Sequence, residues 1–120
     1  MITPHPKVRA GIVLACHNEQ HRLGAGKILD YLRQWEDTAI LLVDDGSTDG
    51  TRRVINELEA QSDRVSSLSL ETNAGKAEAV RSGILHWIGQ HSTAPEWLGY
   101  WDADLACPLA ELRRFLAEAD

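Results

Sequence analysis

The sequence predicts an α/β domain built on a mainly parallel sheet, with helices layered on both of its faces. Two observations carry this. Short apolar runs alternate along the chain with segments whose hydrophobic residues recur at three- and four-residue spacing. Two of the apolar runs also stop abruptly in carboxylates. Ile40-Leu41-Leu42-Val43 runs into Asp44-Asp45-Gly46-Ser47-Thr48-Asp49-Gly50, and Leu98-Gly99-Tyr100-Trp101 runs into Asp102-Ala103-Asp104. A buried parallel strand looks like this when it delivers acidic side chains to the rim of a sheet. Ligands bind at that rim, outside the carboxyl ends of the strands.

The elements follow in order. Residues 8–16 (Val-Arg-Ala-Gly-Ile-Val-Leu-Ala-Cys) read as a first buried strand. A helix is expected over residues 19–35, with Leu29, Leu32 and Trp35 at helical spacing and Gly24 and Gly26 weakening its start. Residues 40–43 form the second strand. The second helix starts near Asp49, where Ser47, Thr48 and Asp49 are candidate caps, and it buries Val54, Ile55 and Leu58. Residues 65–70 alternate apolar and polar side chains, as a half-buried edge strand does. A third helix runs from about Gly75 with Val80, Ile84 and Trp87 on one face, and residues 97–101 form a buried, Trp-rich fourth strand. Pro108 suits the first turn of a last helix that turns Leu109, Leu112 and Leu116 inward. This β-α-β-α-β-α-β order implies right-handed crossovers.

A chain of 120 residues corresponds to one domain, and it buries enough surface for a true core. Its net charge of -6 argues against binding nucleic acid, since no basic cluster offsets phosphate repulsion. The acidic balance does suit a site that recruits a divalent cation. Cys16 and Cys107 stand far apart without metal-ligand spacing, which points to a reduced, intracellular setting; a cytoplasmic location is expected, with room for a membrane-associated parent protein. Residues 1–7 carry two prolines and no apolar signal segment, and no run is long enough to span a membrane.

On extended backbone, Asp102 and Asp104 project to the same side. Two hard oxygen ligands with open positions left over suit Mg²⁺ or Mn²⁺ bridging the phosphates of a nucleotide. An isolated Asp-x-Asp is unspecific and also serves as a helix cap, but here it faces a second acidic strand end. Asp44 and Asp45 can accept hydrogen bonds from a base edge or a ribose hydroxyl, or act only as turn formers before Gly46. Asn73-Ala74-Gly75-Lys76 opens the third helix with free backbone N–H groups and an ammonium, a natural place for an anion. Arg81 is expected to pair with Glu78 on a solvated face.

Three other patterns fail on spacing. His17 and His21 lack the glutamate directly after the first His that a zinc-protease helix requires. Gly24-Ala25-Gly26-Lys27 is followed by Ile28 where a phosphate loop needs Ser or Thr. The acidic pair follows the second strand, not the first as in receiver domains. A nucleotidyltransferase is a further alternative, but residues 16–23 offer no Gly-rich basic loop.

Taken together, the residues resemble the GT-A glycosyltransferases of family 2, which use nucleotide-diphosphate sugars. Four motifs occur in the family's order across residues 8–118. Leu14-Ala15-Cys16-His17-Asn18-Glu19 is similar to its opening strand end, usually Pro-x-Tyr-Asn-Glu. The run from Val43 to Thr51 matches its nucleotide-binding turn almost letter for letter. The run from Asn73 to Gly83 resembles its Asn-x-Gly-Lys-x-x-Ala-x-Arg-x-Gly helix start, and Asp102-Ala103-Asp104-Leu105 its metal-binding Asp-x-Asp. Asp-Ala-Asp-Leu with Asn-x-Gly-Lys is most similar to the polyprenyl-phosphate sugar transferases.

The resemblance implies a Rossmann-like three-layer α/β/α sandwich, the N-terminal half of a GT-A fold. It also implies a nucleotide site lined by Ala15, His17, Glu19, Asp44, Asp45, Lys76 and Asp102, with Asp102 and Asp104 on Mg²⁺ or Mn²⁺. The donor would be a UDP- or GDP-sugar, the transfer inverting, and the acceptor, on the subfamily likeness, a polyprenyl phosphate. There are departures: Ala15 replaces the usual Pro, His17 the usual Tyr, and Ala106 a Gln that many polyprenyl-phosphate relatives carry. The general base and acceptor site belong to a half that would follow Asp120, so the chain is expected to be a donor half, inactive alone. The rival expectation is a non-catalytic nucleotide-binding or interaction module, its unfinished sheet edge inviting self-pairing into a homo-oligomer.

Overall fold

A computed structural model of the chain describes residues 8–90 and 94–119. The stretch read as lacking a signal segment (residues 1–7) and the terminal Asp120 lie outside the described residues. The elements run β1 (Ala10–Cys16), α1 (Ala25–Gln34), β2 (Thr38–Asp45), α2 (Thr51–Gln61), β3 (Val65–Leu70), α3 (Lys76–Ile88) and β4 (Trp97–Asp102). A single 3-10 turn (Leu109–Glu111) then leads into α4 (Leu112–Ala119). The four strands form one parallel sheet in the order β3-β2-β1-β4.

Strand alternation divides the core into two layers. Ile12, Leu14, Cys16, Ile40 and Leu42 face one side, where they meet Ile28 and Leu32 of α1, Ile55 and Leu58 of α2, and Leu112 and Leu116 of α4. Val13, Leu41 and Val43 face the other side and pack on Ala79 and Trp87 of α3. The architecture is therefore a three-layer α/β/α sandwich. The chain steps outward from β1 through β2 to β3, then returns past β1 to β4. Crossovers of one hand place α1 and α2 on one face and the returning α3 on the other. At Gly83, α3 lies so close to the sheet that a Cβ would stand 2.7 Å from Val13 Cγ1.

Three expectations need correction. The first helix begins at Ala25, not at residue 19. The backbone N–H groups of Asn18, Glu19 and Gln20 are instead taken by Ser47 Oγ (3.0 Å), Thr51 Oγ1 (2.8 Å) and Asp49 Oδ2 (3.3 Å), so this stretch is stitched to the next loop. The last helix opens as a 3-10 turn after Pro108 and becomes α-helical only at Leu112, with Leu109, Leu112 and Leu116 buried as expected. The fourth strand is not buried: β4 is a sheet edge, with Trp97 47% and Tyr100 58% exposed. Beside it Phe115 of α4 is 59% exposed. β3, the opposite edge, is half-buried as its alternation predicts.

Arg113 fastens α4 across the far end of the sheet. It donates two 3.0 Å hydrogen bonds to Asp37 and lies 4.3 Å from the centre of the Trp35 ring. Burial drives the Asp37 carboxyl upward, but hydrogen bonds from Arg113 and Thr38 and the guanidinium charge outweigh it, so it sits below its ordinary value. Among the described residues no helix is long and apolar enough to cross a membrane.

Candidate functional site

The strand order changes direction between β1 and β4. In an open parallel sheet such a switch point opens a crevice at the carboxyl ends of the strands. The register brings Cys16 beside Asp44 and Ala15 beside both Val43 and Asp102. Ala15, His17, Asp44, Asp45 and Asp102 are thus gathered at one rim, and the N-terminus of α3 arrives over it.

The adjacent carboxylates of β2 do different things. By the pleat of the strand they project to opposite faces. Asp45, 3% exposed, points toward α3, where Oδ1 accepts the Ala74 N–H (2.7 Å) and Oδ2 the Gly75 N–H (3.0 Å). Both of its oxygens are occupied in holding the loop that precedes α3. Among the described residues Asp44, 6% exposed, accepts only the Ser47 N–H, through Oδ1 (3.1 Å), which leaves Oδ2 for a ligand donor. Gly46 follows with φ of 66°, where a Cβ would meet the Asn73 nitrogen at 2.5 Å. Only glycine lets these two loops close on each other.

His17 continues β1 into the rim. Its Nδ1 lies 2.8 Å from the Asp45 carbonyl oxygen, and its Nε2 lies 3.1 Å from Asn73 Nδ2 and 3.5 Å from Asn18 Nδ2. Asn18 adopts a left-handed backbone (φ 50°), and its Oδ1 accepts the N–H groups of Thr48 (2.8 Å) and Asp49 (3.3 Å). Glu19 pairs with Arg22 at 3.1 Å. Cys16 is fully buried, and burial pushes its thiol up to about 12, so it is inert. Arg81 pairs with Glu78 at 3.0 Å on the solvated face, as expected.

At the end of β4 the Lys76 ammonium is hydrogen-bonded and ion-paired to Asp102 Oδ1, which holds its pKa above the ordinary lysine value. The charges of Tyr100 and Asp104 act in the same direction. The strand ends at Asp102, and Ala103 and Asp104 form a turn. The side of Asp104 is therefore not set by strand alternation, contrary to expectation. Its Oδ1 accepts the Ala106 N–H at 3.0 Å. Ala103 and Leu105 are buried anchors of this turn, and the Ala103 carbonyl accepts the Gly24 N–H at 3.2 Å.

Among the described residues no three His, Cys, Asp or Glu side chains converge as a metal cage. One oxygen of each rim carboxylate is engaged, Asp102 Oδ1 by the Lys76 ammonium and Asp104 Oδ1 by the Ala106 N–H. Mg²⁺-type sites characteristically use one or two carboxylates and complete their shell with phosphate oxygens and water. Asn18 and Asn73 were absent from the expected site. Their places inside two of the motifs, next to His17 and before Gly75, were the available signal.

Residues 11–120 match glycosyl transferase family 2. Two undecaprenyl-phosphate 4-deoxy-4-formamido-L-arabinose transferases, from Klebsiella pneumoniae subsp. pneumoniae and Klebsiella pneumoniae strain 342, are each 32% identical to the chain. Each match covers 100% of this chain and 36% of the relative, so the chain spans little more than a third of the length of these relatives. Among solved structures, S. aureus TarS superposes on 92% of the chain with a TM-score of 0.62 at 19% identity, covering 20% of that protein. A shorter form of TarS in complex with UDP covers the same share, with a TM-score of 0.61, over 32% of its own length. The mannosyltransferase PcManGT from Pyrobaculum calidifontis, in complex with GDP-Man and Mn²⁺, superposes on 71% of the chain and 26% of its own, with a TM-score of 0.55 at 20% identity. The structural likenesses establish the fold. The family match runs through both acidic strand ends and the start of α3, and the chain belongs to glycosyl transferase family 2.

Proposed function

We propose that this chain is the donor-nucleotide part of a metal-dependent glycosyltransferase that takes a UDP- or GDP-sugar for inverting transfer. The observation that carries the reading is the acidic end of β4, where Asp102 pairs with Ala15 of β1 at the switch point and Asp104 follows in the next turn. Mn²⁺ and GDP-Man in one structural neighbour and UDP in another support this ligand class. Asp102 and Asp104 would hold Mg²⁺ or Mn²⁺, which supplies Lewis-acid stabilisation of the leaving diphosphate. Asp44, through its open Oδ2, is the carboxylate of the β2 pair placed to receive a ribose or base donor. His17 and Ala15 line the floor, and Glu19 anchors the loop beside them. Lys76 exchanges Asp102 for phosphate oxygens when the donor binds.

The names of the curated relatives support a polyprenyl phosphate as acceptor. In this reading the acceptor site and general base come from sequence outside these 120 residues, and the chain alone turns over no donor. A second reading, an interaction module that pairs with another copy, has its own support in the free β4 edge flanked by exposed Trp97, Tyr100 and Phe115.

Calorimetric titration of UDP and GDP with and without Mn²⁺, against wild type and Asp104→Ala, tests the first reading. Metal-dependent binding of one nucleotide that disappears in the variant is the expected result. A folded wild type that binds neither nucleotide overturns it and moves the interaction module ahead.

A further inference from the structure

The half-buried imidazole of His17 has hydrogen-bond partners whose own orientations are fixed by backbone. Asn73 Oδ1 accepts the Gly75 N–H at 3.0 Å, so its amide nitrogen is the end presented to His17 Nε2 at 3.1 Å. Asn18 Oδ1 accepts from Thr48 and Asp49, so its amide nitrogen also faces Nε2, at 3.5 Å. Two donors therefore converge on Nε2, which must accept. On the other side Nδ1 faces a carbonyl, Asp45 O at 2.8 Å, and must donate. Of the three states open to an imidazole, only the neutral Nδ1–H tautomer satisfies every partner. An imidazolium would turn a third N–H against two amide N–H groups.

The ionisable groups around this ring have partners of their own, though Asp44 spends only Oδ1 on its partner. Asp45 holds Ala74 and Gly75, Asp44 holds Ser47, Asp49 holds Gln20 and Thr51, Glu19 pairs with Arg22, and Lys76 with Asp102.

We infer that Asn18 and Asn73 are positioning residues that hold His17 as a neutral Nδ1–H imidazole, presented to the rim as an uncharged plane. The ring is then neither a proton donor nor acceptor to substrate nor a metal ligand, since both of its nitrogens are spent within the protein. The same bonds tie the ends of β1 and β2 to the loop before α3. The consequence for substrate rests on the nucleotide reading above: the neutral plane suits the face of a base and adds no charge competing for the phosphates. The tautomer itself does not depend on that reading.

The test is a long-range ¹H–¹⁵N correlation of the imidazole signals in the ¹⁵N-labelled chain at pH 7, with His17→Phe identifying the His17 pattern by its loss. The expected pattern is a pyrrole-like Nδ1 and a pyridine-like Nε2. An Nε2–H tautomer or an imidazolium in the wild type overturns the inference. Asn73→Asp places an acceptor where the donor stood, and His17 is expected to shift to the imidazolium pattern. Asn18→Asp keeps the acceptor for Thr48 and Asp49, and so the loop, and is expected to shift the pattern in the same direction. If both folded variants keep the wild-type pattern, the positioning role is wrong. If Asn73→Asp fails to fold, the Asn18→Asp spectrum decides. Titrating UDP and GDP into the same samples separates the two readings: the expected tautomer without nucleotide binding sinks the proposed function and leaves this inference standing.

Discussion

Asp45 and Asp44 are neighbours of the same residue type, and the structure assigns them opposite fates under the same substitution. Asp45→Asn removes the charge from a carboxylate that accepts two backbone N–H bonds, at 2.7 and 3.0 Å. Hydrogen bonds to a charged acceptor contribute about 1.5–3 kcal/mol each, whereas a neutral one contributes about 1 kcal/mol. An asparagine keeps one such bond at neutral strength and turns an N–H₂ toward the other donor. The bare difference is about 2–5 kcal/mol. Ala74 and Gly75 are exposed, so water recovers part of the loss and the low end, about 2 kcal/mol, is expected. In a domain of this size that lowers Tm by roughly 8 °C. Asp44→Asn gives up less, because its single bond from the Ser47 N–H survives on the amide oxygen, and its cost stays under about 1 kcal/mol. Urea and thermal unfolding of the two variants side by side is the assay. Equal losses in the two, or an Asp45→Asn variant as stable as wild type that has lost nucleotide binding, would refute the assignment of Asp45 to the loop.

Arg113→Met removes the paired bonds to Asp37 and the stacking on Trp35, and is expected to cost about 2 kcal/mol by urea unfolding at pH 7. Because the Asp37 carboxyl lies below its ordinary value in the folded chain, its contribution is complete above the usual carboxylate range and disappears as pH falls through the lowered folded value. The gap between the urea midpoints of wild type and Arg113→Met should therefore narrow in acid to the part due to stacking on Trp35; a gap that does not narrow would be evidence against the pair. Lys76→Gln frees Asp102 from its ammonium, and since exposed ion pairs are worth at most about 1 kcal/mol, Mn²⁺ alone should bind up to roughly fivefold more tightly, as read by calorimetry. Weaker Mn²⁺ binding in that variant would mean that Lys76 does not compete for the site.

What the sequence made legible was whatever depends on near neighbours. The apolar runs of β1 and β2, the alternation of β3 and the leucines of α4 all follow from periodicities of two or about four residues. The strand ends were legible too, because an apolar run that stops in Asp44 or Asp102 is a local event. What could not be read depends on partners far along the chain. The start of α1 is displaced because Asn18, Glu19 and Gln20 spend their N–H groups on residues about thirty positions away. The division of labour between Asp44 and Asp45 is hidden for the same reason. Alternation says that they face opposite ways, but only the packing of α3 says what waits on each side. β4 read as buried because Trp is usually enclosed. Its exposure reflects its place at the edge of the sheet, and the order of strands is not written in any one of them.

These contacts make the N-terminus of α3 the organiser of the rim. Asp45 draws the backbone at Ala74 and Gly75 toward β2, and the closeness this demands is what excludes a side chain at Gly46. Once that loop is seated, Asn73 reaches His17 at the end of β1, and Lys76, three residues further, reaches Asp102 at the end of β4. One short segment therefore touches three strand ends, and it does so with a different chemistry at each: backbone donors to a carboxylate, an amide to an imidazole, an ammonium to a carboxylate. Two of the contacts lie inside the protein's own hydrogen-bond network and leave nothing over for a ligand. The third is an ion pair exposed on both partners, a kind worth at most about 1 kcal/mol. In the proposed function, a ligand that carries both phosphates and a cation would break it at small cost, the phosphates taking Lys76 and the cation Asp102, without disturbing the two contacts that keep the segment in place.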